Sequence, residues 1–322
     1  ATLVLGNTNM FQENFDAAKE NFQKLITLQP QNPTGYFRMG LLQRLTRQYK
    51  PALANFEKAL SINPKLMDVF TNVVLLHTEK NEFKTALQKC DQQIEIIGDV
   101  PAVLAVIYNL KGGLYLSQNR PDQAESAFEK ALEANPDYLR SYYALARLYL
   151  SGNNPDKAIA QYESILEKNP QQASANMMLG TIYDLKKRFD LSEKHYRAAI
   201  EIKPDFAPAA NNLAYVLAVQ DKNIDEALGY AQKAKEQLPD EPSVMDTLGW
   251  IYYKKSLYDS AISEFEGSLE KLPDNPIVNY HLGMAYYQKG DKTRAKKQLQ
   301  KAISLDADFD GANEAKSILS TL

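Results

Sequence analysis

A small residue returns about every 34 positions along this chain. The series consists of Ala18, Ala52, Ala86, Ala124, Ala158, Ser192, Ala227, Ala261 and Ala295. A second series with the same spacing is mostly glycine: Gly6, Gly40, Val74, Gly112, Ala146, Gly180, Ala214, Gly249 and Gly283. Prolines follow the same period. A period of 34 residues with helix-ending prolines is typical of stacked helix-turn-helix units. Such an array offers a long surface rather than one central catalytic pocket.

Residues 139–172 show the repeating unit most clearly. Apolar side chains recur with a helical period twice, first over residues 142–149 and again over residues 158–166. The segment 151–156, which contains Gly, Asn and Pro, separates the two stripes. Pro170 ends the second one, because proline disfavours helical geometry in the residue before it. Each unit is therefore predicted to be two helices joined by a short turn.

The small residues have a steric explanation. Two antiparallel helices approach to about 8–10 Å between axes only when the contacting residues are small. We expect the Gly or Ala of the first helix to meet the Ala or Ser of the second. A larger side chain at either position would cost about 1–3 kcal/mol by overpacking.

This pattern resembles the tetratricopeptide repeat (TPR). The positions that carry the resemblance in residues 242–275 are Leu248, Gly249, Tyr252, Ala261, Phe265, Ser268 and Pro273. The resemblance implies an all-α, right-handed superhelical solenoid of about nine repeats. Their predicted bounds are 1–32, 33–66, 67–104, 105–138, 139–172, 173–206, 207–241, 242–275 and 276–309. Residues 310–322 are predicted to form a capping helix.

The third repeat departs most from the pattern. Val74 stands where glycine is usual, Gln93 stands where a small residue is usual, and four extra residues lie between Ala86 and Gly112. Four residues are about one helical turn, so we expect the second helix of this repeat to run one turn longer. The insertion is either a neutral extension or a joint at which the curvature of the array changes.

Composition excludes several classes of protein. The 322 residues carry 37 Lys and Arg against 40 Asp and Glu, a net charge of −3. General nucleic-acid binding requires a basic surface and is therefore not expected. No apolar run reaches the roughly 18 residues of a membrane span. Gly6 stands eight positions into its repeat, from which we expect the start to be a cut. Membrane association would then come only through an N-terminal anchor upstream of Ala1.

The sequence does not predict catalysis. His77, His195 and His281 lie in the third, sixth and ninth repeats, and residues that distant along an array are far apart in space. Cys90 is the single cysteine, so no internal disulfide forms and the compartment is not decided. Phosphate-binding, dinucleotide-binding and HExxH motifs are absent. We expect no catalytic residues, metal, cofactor or small-molecule substrate.

The resemblance also indicates a binding surface. In TPR proteins the first helices line a concave groove through the second, fifth, ninth and twelfth positions of each repeat. The groove residues predicted in this way are Arg140, Tyr143, Arg147, Asn211, Tyr215, Asp246, Trp250, Tyr253, Tyr280, Met284 and Tyr287. Large aromatic side chains with a polar tip are common anchors of protein interfaces. The alternative is that these rings pack between adjacent first helices, an alternative that we favour for Tyr215.

The sequence therefore predicts a non-enzymatic scaffold that binds a peptide, a helix or a partner protein. Residues 207–309 are similar in style to bacterial TPR lipoproteins encoded beside exopolysaccharide and envelope-sorting systems. That similarity favours envelope assembly, with the cytoplasm and the periplasm both left open. Two alternatives remain: a regulatory or substrate-recognition region of a larger enzyme, and a self-assembling structural protein.

Overall fold

The computed structural model describes residues 1–322, which form nineteen α-helices and no β-strand. The prediction of an all-α fold is confirmed. The helices form two compact units, Ala1–Gln161 and Tyr162–Leu322, called unit 1 and unit 2 below.

Unit 1 contains nine complete helices. They are α1 (Thr2–Phe11), α2 (Phe15–Leu28), α3 (Pro33–Leu45), α4 (Tyr49–Ile62), α5 (Met67–Glu79), α6 (Phe83–Ile97), α7 (Pro101–Ser117), α8 (Pro121–Ala134) and α9 (Leu139–Ser151). The next helix, α10 (Pro155–Lys168), begins before the division between the units and ends after it.

Unit 2 contains the remaining nine helices. They are α11 (Ala173–Leu185), α12 (Phe189–Ile202), α13 (Ala207–Val219), α14 (Ile224–Gln237), α15 (Pro242–Lys254), α16 (Tyr258–Lys271), α17 (Pro276–Gln288), α18 (Lys292–Leu305) and α19 (Ala312–Leu319). Within each unit, consecutive helices pack on one another as hairpins, and each hairpin packs on the next. This is the arrangement of a helix-pair array.

Most glycines of this series contact rings, which differs from the expected contact with alanine, while Gly283 contacts Leu299. A Cβ atom built on Gly40 would lie 2.5 Å from Cε1 of Phe56, and one on Gly180 would lie 2.6 Å from Cε1 of Tyr196. The same relation joins Gly249 to Phe265. In each case the ring stands sixteen residues after the glycine. The glycine therefore makes room for an aromatic side chain of the second helix, because a ring edge can approach the backbone only where no Cβ intervenes.

In repeat three, neither the glycine nor the ring of this pair is present. Val74 stands in the glycine position, and Cys90 stands sixteen residues later where the ring is usual. Both side chains lie in one buried cluster with Phe70 and Ile107. A larger residue on α5 is thus matched by a smaller one on α6. The helices α5 and α6 lie less close together than the neighbouring pairs α3/α4 and α7/α8, as expected when a branched side chain replaces glycine.

The turns between paired helices repeat one backbone feature. A single residue in each turn adopts a positive φ angle: Glu13, Arg47, Asn81, Asn119, Asn153, Lys187, Asp221, Ser256 and Gly290. A left-handed residue ends the first helix and reverses the chain. The turn of repeat seven has a second residue with a positive φ angle, Asn223. Its side chain accepts a hydrogen bond from the backbone N–H of Glu226. The additional residue of this repeat lies in that longer turn.

The four-residue insertion lies in the first helix of repeat four, and the prediction for the second helix of repeat three is wrong. Helix α6 ends at Ile97, because Gly98 adopts φ 62° and Pro101 opens the next helix. Helix α7 then has 17 residues, whereas α5 and α9 have 13. Gln93, the other irregular residue, is buried, and its Nε2 donates a hydrogen bond to the carbonyl of Pro64 at 2.6 Å.

Helix α19 covers the end of unit 2. Ala312 and Ala315 are buried against α17 and α18, while Asn313, Glu314 and Lys316 are exposed. This amphipathic arrangement is that of a terminal cap. None of the nineteen helices combines the length with the apolar composition that crossing a membrane requires.

Candidate functional site

The first helices of unit 2 share one face, which we call the inner face. Helices α11, α13, α15 and α17 contact one another in that order. The carboxylates of Asp184 on α11, Asp246 on α15 and Asp310 before α19 all act on the hydroxyl of Tyr215 on α13. In addition, Nζ of Lys187 lies 3.3 Å from Oδ2 of Asp310. Lys187 and Asp310 are 123 residues apart in sequence, so their contact means that the ends of this face approach each other and that the inner face is concave.

Tyr215 lies near the middle of the inner face. Its side chain is half-buried. Burial raises the pKa of Tyr215, and the negative charges of Asp184, Asp246 and Asp310 raise it further. Like an ordinary tyrosine, the phenol is neutral at physiological pH and can donate its proton in a hydrogen bond. Three carboxylates thus contribute negative electrostatic potential at the Tyr215 hydroxyl.

Two polar groups near Tyr215 are incompletely paired. Burial raises the pKa of Asp184, and no hydrogen bond or neighbouring charge lowers it again. Asn211, one helical turn before Tyr215 on the same face of α13, is more than nine-tenths buried. Its Nδ2 donates to Oδ1 of Asn212 at 3.3 Å, whereas its own Oδ1 accepts no hydrogen bond. Such groups usually find partners in folded proteins, and exceptions require an explanation.

Trp250 packs between adjacent first helices. Its ring stacks on Tyr253 with centroids 4.9 Å apart and on His281 of α17 with centroids 4.3 Å apart. Nδ1 of His281 lies 2.8 Å from Oδ1 of Asp246, which fixes the imidazole against α15. The contact with His281 holds α15 to α17, whereas Tyr253 lies on α15 itself, so the packing alternative describes Trp250. Its remaining exposed surface borders the inner face.

Tyr253 and Tyr287 keep part of their surface accessible. Tyr253 is half-buried, and burial raises the pKa of its phenol. It also contacts Tyr258 with ring centroids 5.9 Å apart. Tyr287 is half-buried at the edge of the cluster around Phe265. These two rings are predicted groove residues that the structure leaves partly open.

Tyr280 and Met284 do not line an open surface, which corrects their assignment to the groove. They are only 5% and 3% exposed. The segment from Phe309 to α19 covers both, and the Tyr280 hydroxyl donates to Oε2 of Glu314 at 2.7 Å. The capping helix was predicted from the sequence, but which first-helix residues it would cover was not.

The predicted residues of unit 1 all lie on α9. Arg140 and Arg147 are exposed, and Tyr143 is half-buried with a pKa raised by burial. The structure brings these three residues onto one helix. It brings Asn211, Tyr215, Asp246, Trp250 and Tyr253 together separately, within unit 2. Asp310 is an inner-face residue that sequence reasoning missed, because it lies beyond the last repeat; Asp184 has the groove register but was not among the predicted binding residues.

Unit 1 also contains an open cleft that the sequence did not predict. It has a volume of about 510 Å³ and lies where α1, α3 and α5 end. Met10, Leu41 and Leu45 form apolar walls. Arg44 crosses the cleft to Glu79, with its Nη2 2.5 Å from the carboxylate oxygen. The charge of Arg44 is therefore already compensated by Glu79 within the chain.

Each histidine has a separate polar partner. Nδ1 of His77 lies 2.7 Å from Oε2 of Glu82, and Nδ1 of His195 lies 2.9 Å from Oδ1 of Asn176. His281 is bound to Asp246 as described above. Burial raises the pKa of the Cys90 thiol to about 12, which leaves almost no thiolate for nucleophilic chemistry. These side chains have the environments of structural residues.

Comparison with solved structures relates this architecture to known folds. A chain of the Cut9–Hcn1 hetero-tetramer of APC/C is 16% identical over 94% of this chain, with a TM-score of 0.59, and the match spans 59% of that chain. PilF of Pseudomonas aeruginosa is 20% identical over 68% of this chain and 99% of its own, with a TM-score of 0.56. PilW, a type IV pilus biogenesis factor, is 18% identical over 67% of this chain and 98% of its own, with a TM-score of 0.54. At these identities the likeness concerns the fold alone.

Two sequence profiles, both described as tetratricopeptide repeat, match the chain. One matches residues 115–182. The other matches four segments: 3–32, 33–66, 173–206 and 277–309. No curated protein matches the sequence. Together the profiles cover more than half of the chain and agree with the helix-pair packing and with the solved structures, so the chain belongs to the tetratricopeptide repeat family.

Proposed function

We propose that this protein is a non-catalytic scaffold that binds an extended segment of a partner protein on the inner face of unit 2. TPR proteins are protein-interaction scaffolds. The observation that carries the proposal for this chain is the accessible surface of Tyr215 and Tyr253 on a concave face. Both rings keep part of their surface accessible after packing against the other helices of unit 2.

Partly buried tyrosines suit such a role. A ring that packing already holds loses little conformational entropy when a partner covers it. Its apolar edge contributes contact area, while its hydroxyl offers a hydrogen bond. The concave face of unit 2 can enclose an extended segment from two sides, which excludes water from the central contacts. Arg140, Tyr143 and Arg147 on α9 are proposed as a separate contact surface of unit 1.

The absence of catalysis is part of the proposal. It rests on the separate partners of the three histidines and on the raised pKa of the Cys90 thiol. The alternative of a substrate-recognition region in a larger enzyme is decided by the full reading frame, which would encode a catalytic domain. Self-assembly is decided by light scattering across a range of protein concentrations.

We also propose a role in bacterial envelope assembly. Its support is the resemblance of residues 207–309 to TPR lipoproteins encoded beside exopolysaccharide systems. PilW is a pilus biogenesis factor, but its 18% identity supports only the shared fold. Fractionation of the source bacterium with an antibody against the chain tests this role. Recovery in the cytosolic fraction alone would contradict it.

The binding proposal is tested by capture followed by measurement. The full 322-residue chain serves as bait for proteins of the source bacterium, and captured partners are then titrated against purified chain. The double variant Tyr215→Ala/Tyr253→Ala should weaken binding at least about tenfold, since an interface anchor commonly contributes about 1–2 kcal/mol or more. The control Leu272→Ala removes an exposed apolar side chain that follows α16. Equal affinity of both variants, with helicity unchanged, would refute the proposed face.

A further inference from the structure

We infer that the open cleft of unit 1 binds an acidic segment of a partner polypeptide, with a large apolar side chain of that segment in the cleft and a neighbouring carboxylate at Arg47. The cleft lies where α1, α3 and α5 end. It belongs to unit 1, whereas the proposed function rests on the inner face of unit 2. The cleft would therefore give the protein a second binding site with its own ligand chemistry.

The walls of the cleft are mainly apolar. Met10 of α1 and Leu41 of α3 are half-buried. Leu45 is 58% exposed, and Tyr49 is exposed as well. All four side chains line the same volume of about 510 Å³, which is within the usual range of about 300–1,000 Å³ for ligand sites. A large apolar side chain that fills this volume removes their accessible apolar surface from water, which favours binding.

Arg44 forms a fixed polar wall of the cleft. Its Nη1 donates a hydrogen bond to Oδ1 of Asn72 at 2.8 Å, and its Nη2 lies 2.5 Å from Oε1 of Glu79. Both partners lie on α5, so these contacts hold the guanidinium of α3 in one position. Because Glu79 compensates its charge, Arg44 shapes the cleft without requiring a charged ligand.

Arg47 carries the positive charge that remains uncompensated. It lies in the turn after α3 with φ 59°, and its side chain is exposed and lines the cleft. The Arg47 guanidinium forms no ion pair within the chain. Two arginines and one glutamate line the cleft, which leaves one net positive charge. A carboxylate is the complementary group, because a guanidinium can donate two parallel hydrogen bonds to it.

A polypeptide segment matches the open form of the cleft. One side of the cleft faces solvent, so a group that fills it stays connected to what lies outside, as a side chain is connected to its backbone. Successive residues of an extended chain are about 3.3–3.6 Å apart along it. An acidic residue next to an apolar one can therefore present its carboxylate to Arg47 while the apolar side chain occupies the cleft.

The experiment uses the full chain and four fluorescein-labelled nonapeptides. Their central residues are Glu-Phe-Glu, Gln-Phe-Gln, Glu-Ala-Glu or Lys-Phe-Lys, flanked by glycine and serine, and each peptide ends in an amide. Fluorescence anisotropy should show Glu-Phe-Glu binding at least about fivefold more tightly than each of the other three, which corresponds to about 1 kcal/mol. Raising NaCl from about 50 to about 300 mM should weaken Glu-Phe-Glu more than Gln-Phe-Gln, because salt screens charge pairs.

Two variants with matched controls locate the ligand. Leu45→Ser removes an apolar wall, and its control Leu185→Ser changes an exposed leucine at the corresponding end of α11. Arg47→Gln removes the uncompensated charge, and its control Lys58→Gln removes a positive charge from an exposed position on α4. Leu45→Ser and Arg47→Gln should each weaken Glu-Phe-Glu at least about threefold, whereas the controls leave its affinity unchanged. Arg47→Gln should also leave the affinity of Gln-Phe-Gln unchanged. Circular dichroism checks that all four variants keep their helicity.

The outcomes separate this site from the proposed function. Absence of binding of Glu-Phe-Glu overturns the cleft site, as do equal affinities of the four peptides or equal effects of Leu45→Ser and Leu185→Ser. If Tyr215→Ala/Tyr253→Ala removes binding of Glu-Phe-Glu while Leu45→Ser does not, the segment binds to unit 2; the cleft site is then overturned and the proposed function is supported. If light scattering shows a dimer that Leu45→Ser dissociates, a second copy occupies the cleft, which overturns the inference of a partner segment.

Discussion

Two adjacent glycines in α7 offer a direct test of how this array sets its helix spacing. Gly112 and Gly113 lie in the same helix, and changing either to alanine gives the same gain in helix propensity, about 1 kcal/mol. Their surroundings differ. A Cβ atom on Gly113 meets no atom within 4 Å, whereas one on Gly112 would lie 2.3 Å from Cε1 and 2.5 Å from Cδ1 of Phe128.

The magnitude follows from these distances. Non-bonded carbon atoms are in contact at about 3.5–4.0 Å, so the Phe128 ring would have to retreat by about 1 Å or more. Phe128 is only 2% exposed, so neighbouring atoms surround its ring. Overpacking of this kind costs about 1–3 kcal/mol, and the upper end applies to a pinned ring. Gly112→Ala should therefore destabilise the protein by about 2 kcal/mol net, while Gly113→Ala stabilises it by up to about 1 kcal/mol.

Urea denaturation followed by circular dichroism measures both variants. Because repeat arrays do not always unfold in two states, the order of the midpoints is the primary result: Gly113→Ala above the native chain, and Gly112→Ala below it. A second variant, Phe128→Leu, removes the ring. In that background Gly112→Ala should cost less than it does alone, which gives a coupling energy between the two sites. Equal midpoints for the two alanine variants would refute the glycine–ring account.

Three further predictions concern individual side chains. Cys90 should not react with Ellman's reagent at pH 8 until the chain unfolds, since a thiol pKa of about 12 leaves about one thiolate in ten thousand; rapid labelling of the native chain would contradict this. Trp250→Ala should cost about 2–3 kcal/mol of stability, because it removes stacking on Tyr253 and His281; an unchanged urea midpoint would make Trp250 a surface anchor instead. Asp184→Asn should raise the urea midpoint at pH 7, because the folded state disfavours the charged carboxylate. That gain should fade as the pH falls through the raised folded pKa of Asp184 toward the unfolded value of about 3.9, since the native carboxyl then takes up a proton; a gain that stays constant to pH 3 would exclude this explanation.

The fold could be predicted from the sequence because one physical requirement recurs in every repeat. Each helix pair must bury the same stripe, so apolar residues, small residues and turn residues return at a fixed spacing. The partner of each small residue was harder to predict. Gly40 meets Phe56 rather than an alanine, and the period alone cannot identify this contact, because both series share the period of 34 residues. A comparison of the irregular repeats would have identified the contact between the glycine and the ring. In repeat three both positions change together, to Val74 and Cys90.

The insertion shows a second limit of periodic reasoning. Counting residues from Ala86 to Gly112 locates four extra positions but does not assign them to a helix. Local backbone signals do assign them. Gly98 ends α6 with a positive φ angle, and Pro101 begins α7, as expected for glycine just after a helix and proline at its first position. The boundary follows these two residues rather than the average register.

The inner face was predicted only in outline, because its character depends on how the repeats differ rather than on what they share. Tyr215 and Tyr280 occupy inner-face register positions, yet Tyr215 stays half-buried among carboxylates while Tyr280 is covered by α19. The register specifies where a side chain points, and the neighbouring repeats decide whether it is covered, paired or left without a partner. Asp310 lies beyond the last repeat and reaches the face only through tertiary structure. A fold based on one repeated contact can therefore vary the groups on its inner face, such as the carboxylate of Asp184, without altering the contacts that hold the helices together.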